Sequence, residues 1–297
     1  MSDAGGVPRK ALDSPGVPGA LAAPRPMLAL PAPDIVHFAG VSKTYEDGYT
    51  AIHDVSFTVE DTPNHMEIIG VLGPSGCGKS TVLRLIAGLT PQHPATTGVV
   101  EVMGRPVTGP GPDRGFVFQD YTSFDNRTVA DNIAFGLECS GVPNEERTAL
   151  AREWISKVGL NVDRDANKYP HQLSGGMRQR VALARTLILK PRVILMDEPF
   201  GALDPRTRFA MQDLLVTLCR EVEATCFLVT HSIEEAVHVS DRLYIFSSAP
   251  GTILKEMKIP PSARAAHLRQ REPEFIETVF EVRDLIETLD VSTKAGD

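Results

Sequence analysis

Residues 67 to 90, EIIGVLGPSGCGKSTVLRLIAGLT, leave the backbone little choice. A short apolar run, EIIGVL, stops at a glycine-rich loop, and beyond it Val82, Leu85, Ile86 and Leu89 recur on one helical face. Apolar runs without alternation suit parallel strands buried on both faces, and a parallel strand needs a crossover, here a helix. Gly73 through Ser80 also fits GxxxxGK followed by Ser or Thr, in the strand-then-helix context that turns this pattern into a phosphate site. Glycines let backbone N–H groups close around phosphates, and the helix N-terminus adds its positive end. Gly73, Pro74, Ser75, Gly76, Cys77, Gly78, Lys79, Ser80 and Thr81 are therefore expected to bind ATP. Lys79 reaches the β and γ phosphates, and the Ser80 hydroxyl ligates Mg2+.

Three further apolar runs end abruptly in polar residues: FVFQ, VILMDEP and FLVTH. With EIIGVL they predict an α/β fold of the P-loop type with a mostly parallel core sheet, whose ligands bind at the carboxyl edge of the strands. VILMDEP brings Asp197 and Glu198 to that edge. Asp197 is expected to hold Mg2+, directly or through water, and Glu198 to orient and polarise the attacking water, because phosphoryl transfer asks mainly for positioning and charge stabilisation. Gln119, ending FVFQ, is placed to contact Mg2+ or water, and His231, ending FLVTH, to donate to the γ-phosphate.

Around this core the texture varies. Residues 1 to 33 hold seven of the 23 prolines and almost no aromatic or β-branched residues, so this segment is expected to be a disordered tail. IVHFAGVSKTY and DVSFTVE read as antiparallel strands opening a domain that runs from 34 to 260. Residues 122 to 172 are rich in helix formers, with Trp154, Ile155 and Val158 at helical spacing and Pro143 and Pro170 as breaks, and read as an inserted helical subdomain. Ser232 and Glu235 have the spacing of a capping box. RLYIFS and TILKEMK flank Ala249, Pro250 and Gly251 as a terminal hairpin. In the extension from 261 to 297, Phe275, Val279, Val282, Ile286 and Leu289 follow the pattern of an amphipathic helix packed on its own domain.

A chain of 297 residues suffices for one α/β core with an insertion, or for two modest domains. Its 38 acidic against 30 basic side chains give a formal charge of −8, which argues against nucleic acid as a partner. Cys77, Cys139, Cys219 and Cys226 include no CxxC pair, so a reduced compartment is expected rather than zinc or a redox dithiol. No apolar run is long enough to cross a bilayer; the chain is expected to be soluble, or to lie on a membrane through a partner.

A second glycine turn, SGGMRQR at 174 to 180, precedes another helix. By itself it is either a plain helix cap from Ser174 or a second phosphate-binding turn formed by the N–H groups of Gly175 and Gly176. The whole set, GPSGCGKST, Gln119, LSGGMRQR, VILMDEP, GALD and His231, resembles in kind and order the nucleotide-binding subunits of ABC transporters over about residues 34 to 250. The resemblance implies a head-to-tail dimer in which Ser174, Gly175 and Gly176 of one copy close over the ATP of the other. It also implies adenine stacking on Tyr45, two transmembrane permease subunits as partners, and a place on the cytoplasmic side of the cell membrane. VTGPGPDRGFVFQDYTSF and DNIAFGL look like the importer subunits for nitrate, sulfonates and taurine, which implies import and, indirectly, a solute-binding protein. Asp125 and Asn126 stand where such subunits carry Pro-Trp, in the loop expected to meet the membrane subunit; Ser232 replaces an aspartate, and DTPNHME a tighter glycine turn.

The resemblance favours a transport ATPase. A soluble ABC-type ATPase is the alternative; such proteins carry long coiled-coil insertions or paired cassettes, absent from this sequence. LSGGMRQR and the lack of NKxD oppose a P-loop GTPase or kinase.

Overall fold

The computed structural model describes residues 33–61, 66–120, 122–201, 203–260 and 266–294, and the side chains among them except those of residues 267 and 289–294. Residues 1–32 of the segment expected to be a tail, the centre of DTPNHME and the side chain of Leu289 lie outside what is described. In chain order the elements are β1 (Val36–Thr44), β2 (Thr50–Val59), β3 (Ile68–Leu72), α1 (Lys79–Ala87), β4 (Thr97–Val102), β5 (Arg105–Pro106), β6 (Arg114–Val117), α2 (Val129–Cys139), α3 (Asn144–Lys157), α4 (Val162–Asp165) and α5 (Gly175–Leu187). The order continues with β7 (Val193–Asp197), α6 (Pro205–Val222), β8 (Thr225–Val229), α7 (Ile233–Val239), β9 (Arg242–Phe246), β10 (Ile253–Lys258), α8 (Ala266–Arg269) and α9 (Pro273–Lys294).

Six strands form the core sheet in the order β10-β9-β3-β8-β7-β6. All pairings from β9 to β6 are parallel and only β10 runs antiparallel, as the terminal hairpin requires. Every residue of β3, β7 and β8 is buried, which explains why these strands read as unbroken apolar runs. Because the four strands β3, β6, β7 and β8 run in one direction, the segments that follow them emerge at one edge.

A second sheet, ordered β2-β1-β4-β5, is antiparallel throughout. The β4–β5 hairpin, TTGVVEVMGRP, is not among the strands read from the sequence; of the three valines in β4 only Val102 is buried, so they mark no buried face. Helix α1 lies in the core between this sheet and the first, where Val82, Leu85 and Ile86 meet Val36, Val55, Ile69 and Val229. Phe57 of the second sheet spans the gap to Tyr244 and Phe227, with ring centroids 5.0 and 6.1 Å away.

The other face of the core sheet carries α5 and α6 together with the helices between residues 129 and 165, in one apolar cluster containing Trp154, Ile155, Val158, Val181 and Ala184. Asn132, fully buried on α2, pins the preceding loop. Its amide nitrogen donates to the carbonyls of Phe124, Arg127 and Thr128, and its oxygen accepts from the Phe124 N–H at 2.8 Å. Asp125 and Asn126 therefore sit in a loop fixed from inside. At the C-terminal end, Phe275, Val279 and Val282 are buried on α9 against Ala236 and Val237 of α7.

Candidate nucleotide site

The loop after β3 folds tightly because two of its glycines adopt backbone that L side chains avoid. Gly76 has φ +81 and Gly78 φ +90, and a Cβ on Gly78 would lie 2.6 Å from the Ala51 carbonyl oxygen. Lys79 opens α1 and is buried, its ammonium donating to the Gly73 and Pro74 carbonyls at 2.8 Å each. Those are neutral acceptors, which hold an ammonium less strongly than a charged oxygen does. Ser80 Oγ donates to Asp197 Oδ1 at 2.8 Å, joining the first helical turn to the end of β7, and Arg84 lies 3.9 Å from the other Asp197 oxygen.

Glu198 follows directly and takes φ +47, a left-handed conformation that costs a non-glycine residue about 1–3 kcal/mol. The Glu198 N–H still donates to the Val229 carbonyl at 3.0 Å, so the strained residue is tied to β8 while its carboxylate turns into the cleft. Glu198 Oε2 lies 3.4 Å from His231 Nδ1. β6 and β8 stop at Val117 and Val229, so Gln119 and His231 each stand two residues beyond their strand rather than at its end.

The expected capping box at Ser232 forms only in part. Ser232 Oγ accepts from the Glu235 N–H at 3.2 Å, but the Glu235 carboxylate accepts from Thr230 Oγ1 at 2.6 Å instead of returning to the Ser232 backbone. The Ser232 N–H donates to that same Thr230 oxygen, and Arg208 lies 3.4 Å from Glu235. Burial pushes the Glu235 carboxyl up, and these partners oppose that shift only in part. The loop carrying His231 thus hangs between β8 and α7 on a buried polar network, a link between Thr230, Glu235 and Arg208 that the sequence reading missed.

A cleft of about 310 Å3 is lined by Ser75, Gly76, Gly78, Lys79, Ser80, Thr81, Glu198, Ala51, Tyr45 and Tyr49. Tyr45 Oη is 3.4 Å from Thr81 Oγ1 and accepts from Gln92 at 3.2 Å. Gly73, Pro74 and Cys77 form the loop without lining the cleft. Gln119 and Ser174 are exposed and outside it, and Gly175 and Gly176, half-buried, lie outside it as well. Ser174 caps α5, its Oγ accepting from the Met177 N–H at 3.4 Å, and a Cβ on Gly175 would meet nothing within 4 Å.

Cys77 is a small residue that fills the loop. A helix N-terminus lowers a thiol's pKa, but this side chain is fully buried, and burial pushes the thiol up, with the Lys79 ammonium opposing but not cancelling the effect.

Fold and cleft together put the chain in the class of P-loop nucleoside triphosphatases. Within that class it belongs to the ABC transporter family, whose model matches residues 52–201. Among curated relatives, an uncharacterized ABC transporter ATP-binding protein of Methanocaldococcus jannaschii, MJ0412, is 51% identical over 193 residues, covering 65% of this chain and 70% of its own length. The nitrate import ATP-binding protein NrtD of Synechocystis sp. is 45% identical over 228 residues, 74% of this chain and 83% of its own. The taurine import ATP-binding protein TauB of Escherichia coli is 40% identical over 259 residues, 82% of this chain and 98% of its own. Among solved structures, the dimeric post-hydrolysis state of the ATP-binding cassette MJ0796 bound to ADP and Pi superposes with a TM-score of 0.64 at 32% identity, covering 76% of this chain and all of that one.

Proposed function

We propose that this chain is the ATP-hydrolysing subunit of an importer for a small solute such as nitrate, a sulfonate or taurine. It works as a head-to-tail pair beneath two permease subunits that receive the solute from a solute-binding protein. The observation carrying this reading is the separation of the two glycine turns: one encloses Lys79 in the cleft, while Ser174, Gly175 and Gly176 stand outside it with open space at Gly175. A second phosphate-binding turn outside its own cleft is useful to a second copy's nucleotide. The names of the nitrate and taurine relatives support the importer reading and its solute class.

In the cleft, Lys79 exchanges the Gly73 and Pro74 carbonyls for phosphate oxygens. Ser80 Oγ and Asp197 Oδ1, already 2.8 Å apart, are a hard-oxygen pair that fits Mg2+, an ion that prefers few protein oxygens and retained waters. Bound there, Mg2+ would neutralise charge on the transferring phosphoryl group. Gln119 would join this set only when its loop closes inwards. Glu198 takes the proton of the attacking water, and His231, beside it, holds the carboxylate in place and donates to the γ-phosphate. Adenine stacks on Tyr45.

An apolar groove of about 590 Å3 next to Gln119, walled by Phe118, Phe124, Phe135 and Leu189, is the place for a permease segment. A contact there would reach Gln119 through Phe118 and so connect transport to the cleft. Among the described residues no helix is long and apolar enough to cross a membrane, consistent with attachment to the cytoplasmic face through that partner.

The test uses Glu198→Gln, which keeps size but cannot accept the proton. With Mg-ATP this variant should sediment as a dimer, and with ADP as a monomer. Adding Ser174→Arg should abolish the dimer while each monomer still binds nucleotide. Loss of monomer binding with dimerisation intact would place both turns in one chain's site and refute the head-to-tail reading.

A further inference from the structure

Tyr45 is one of two aromatic rings in the cleft. The backbone closes a tight turn over residues 45–49: the Tyr45 N–H donates to the Tyr49 carbonyl at 2.9 Å and the Gly48 N–H to the Tyr45 carbonyl at 3.0 Å. Asp47 Oδ1 fixes the same turn by accepting from the Tyr49 N–H at 3.0 Å. Directly paired residues of a hairpin send their side chains to one side, and both rings indeed line the nucleotide cleft. Their planes are 13° apart and their centroids 6.3 Å apart. Rings packed fully face to face sit closer, as Phe38 and Phe57 do at 4.6 Å, so the two tyrosines run parallel without close face-to-face contact.

Two more contacts give Tyr49 a role beyond filling the turn. Its hydroxyl donates to the Gly76 carbonyl at 2.9 Å, anchoring the ring to the phosphate loop itself. Yet 47% of the residue remains exposed although it lines the cleft. Tyr45, by contrast, has Lys43 over its ring at 5.5 Å, which occupies one of its two faces. Lys43 thus leaves Tyr45 at most one face for a base, and the near-parallel ring of Tyr49 adds a second aromatic surface to the cleft wall.

We propose that Tyr49 is a base-binding residue: Tyr45 and Tyr49 together form a two-ring site for the purine of the nucleotide, hung from the phosphate loop by the Tyr49 hydroxyl. This inference rests on the reading of the cleft as an ATP site. The ring supplies base-dependent affinity, and the hydroxyl sets where the ring stands relative to Gly76. One base–aromatic stack corresponds to about 1–3 kcal/mol, or roughly five- to 150-fold in affinity.

The experiment separates base from phosphate by measuring, with the full chain, the affinity of ATP and of inorganic tripolyphosphate, which has no base. Tyr49→Ala should weaken ATP about tenfold and leave tripolyphosphate unchanged, while Tyr49→Phe, keeping the ring, should stay within about threefold of wild type for ATP. Unchanged thermal midpoints in both variants would show that the fold is intact. Equal weakening of both ligands by Tyr49→Ala would overturn the proposal, because Tyr49 would then only brace the loop. So would loss of base-dependent affinity in Tyr45→Ala with none in Tyr49→Ala, an outcome that leaves the ATP site itself standing. If wild type binds neither ligand, the nucleotide reading itself fails.

Discussion

The turn of the terminal hairpin sets the shape of the phosphate loop from a distance, and Gly251→Ala tests it. Gly251 lies against the loop so closely that a Cβ would stand 1.9 Å from the Cys77 carbonyl oxygen and 3.3 Å from Phe246 Cδ1. Its φ is not left-handed, so the penalty is steric rather than conformational. The hairpin cannot simply swing away. The Gly251 N–H donates to the Ala51 carbonyl at 2.9 Å and its carbonyl accepts from the His53 N–H at 3.0 Å, tying it to the strand that walls the cleft. Ordinary contact starts near 3.4 Å, so the Cys77 backbone has to retreat by about 1.5 Å. Overpacking of this kind costs about 1–3 kcal/mol, or about 2–12 °C in thermal midpoint for a domain of this size. A displacement above 1 Å in groups that position reacting phosphates reduces turnover by about 100-fold. Steady-state ATP hydrolysis and thermal unfolding of Gly251→Ala should therefore both fall. Gly109→Ala, where an added Cβ meets nothing within 4 Å, should match wild type in both. If Gly251→Ala hydrolyses ATP at the wild-type rate with an unchanged midpoint, the hairpin does not constrain the loop and the steric argument is wrong.

Two further outcomes follow from buried titratable groups. Asp165 is fully buried at the end of α4, and hydrogen bonds from Arg164, then Lys168 and the Asn161 N–H, hold its carboxyl well below the usual range against the cost of burial. A lowered folded pKa means the contribution is complete above the ordinary aspartate value of about 4 and is lost as pH falls towards the folded value. Asp165→Asn should thus cost about 1–3 kcal/mol at pH 7 in urea unfolding, with the gap to wild type narrowing below about pH 4; a gap independent of pH would refute the charge-based account. Cys77, buried and with its thiol pushed up, should react with a maleimide more slowly than exposed Cys139 in the native protein, as read by mass spectrometry of labelled peptides. Faster labelling of Cys77 would show that the helix terminus outweighs burial.

The sequence by itself determined those parts in which chemistry and local geometry share a few consecutive residues. GPSGCGKST carries its strand, its glycines and its helix in one stretch, and VILMDEP states both a buried strand and the carboxylates at its end. The core sheet was legible because burial on both faces removes polar residues from a strand outright. Tertiary structure decided what depends on residues far apart in the chain. Gly251 reads in the sequence only as a turn residue, and its close approach to Cys77 exists because β9 lies beside β3. Glu235 has capping-box spacing, yet its carboxylate goes to Thr230 because β8 ends beside α7 and offers the better-placed hydroxyl. Tertiary packing also set the direction of the Cys77 thiol's shift, since the cost of burying a thiolate depends on the packing around it and outweighs the nearby positive charge. Asn132 and Tyr49 carried only weak marks, an asparagine after a helix start and an aromatic four residues beyond another. What they hold is settled by which backbone carbonyl the fold brings within hydrogen-bond reach.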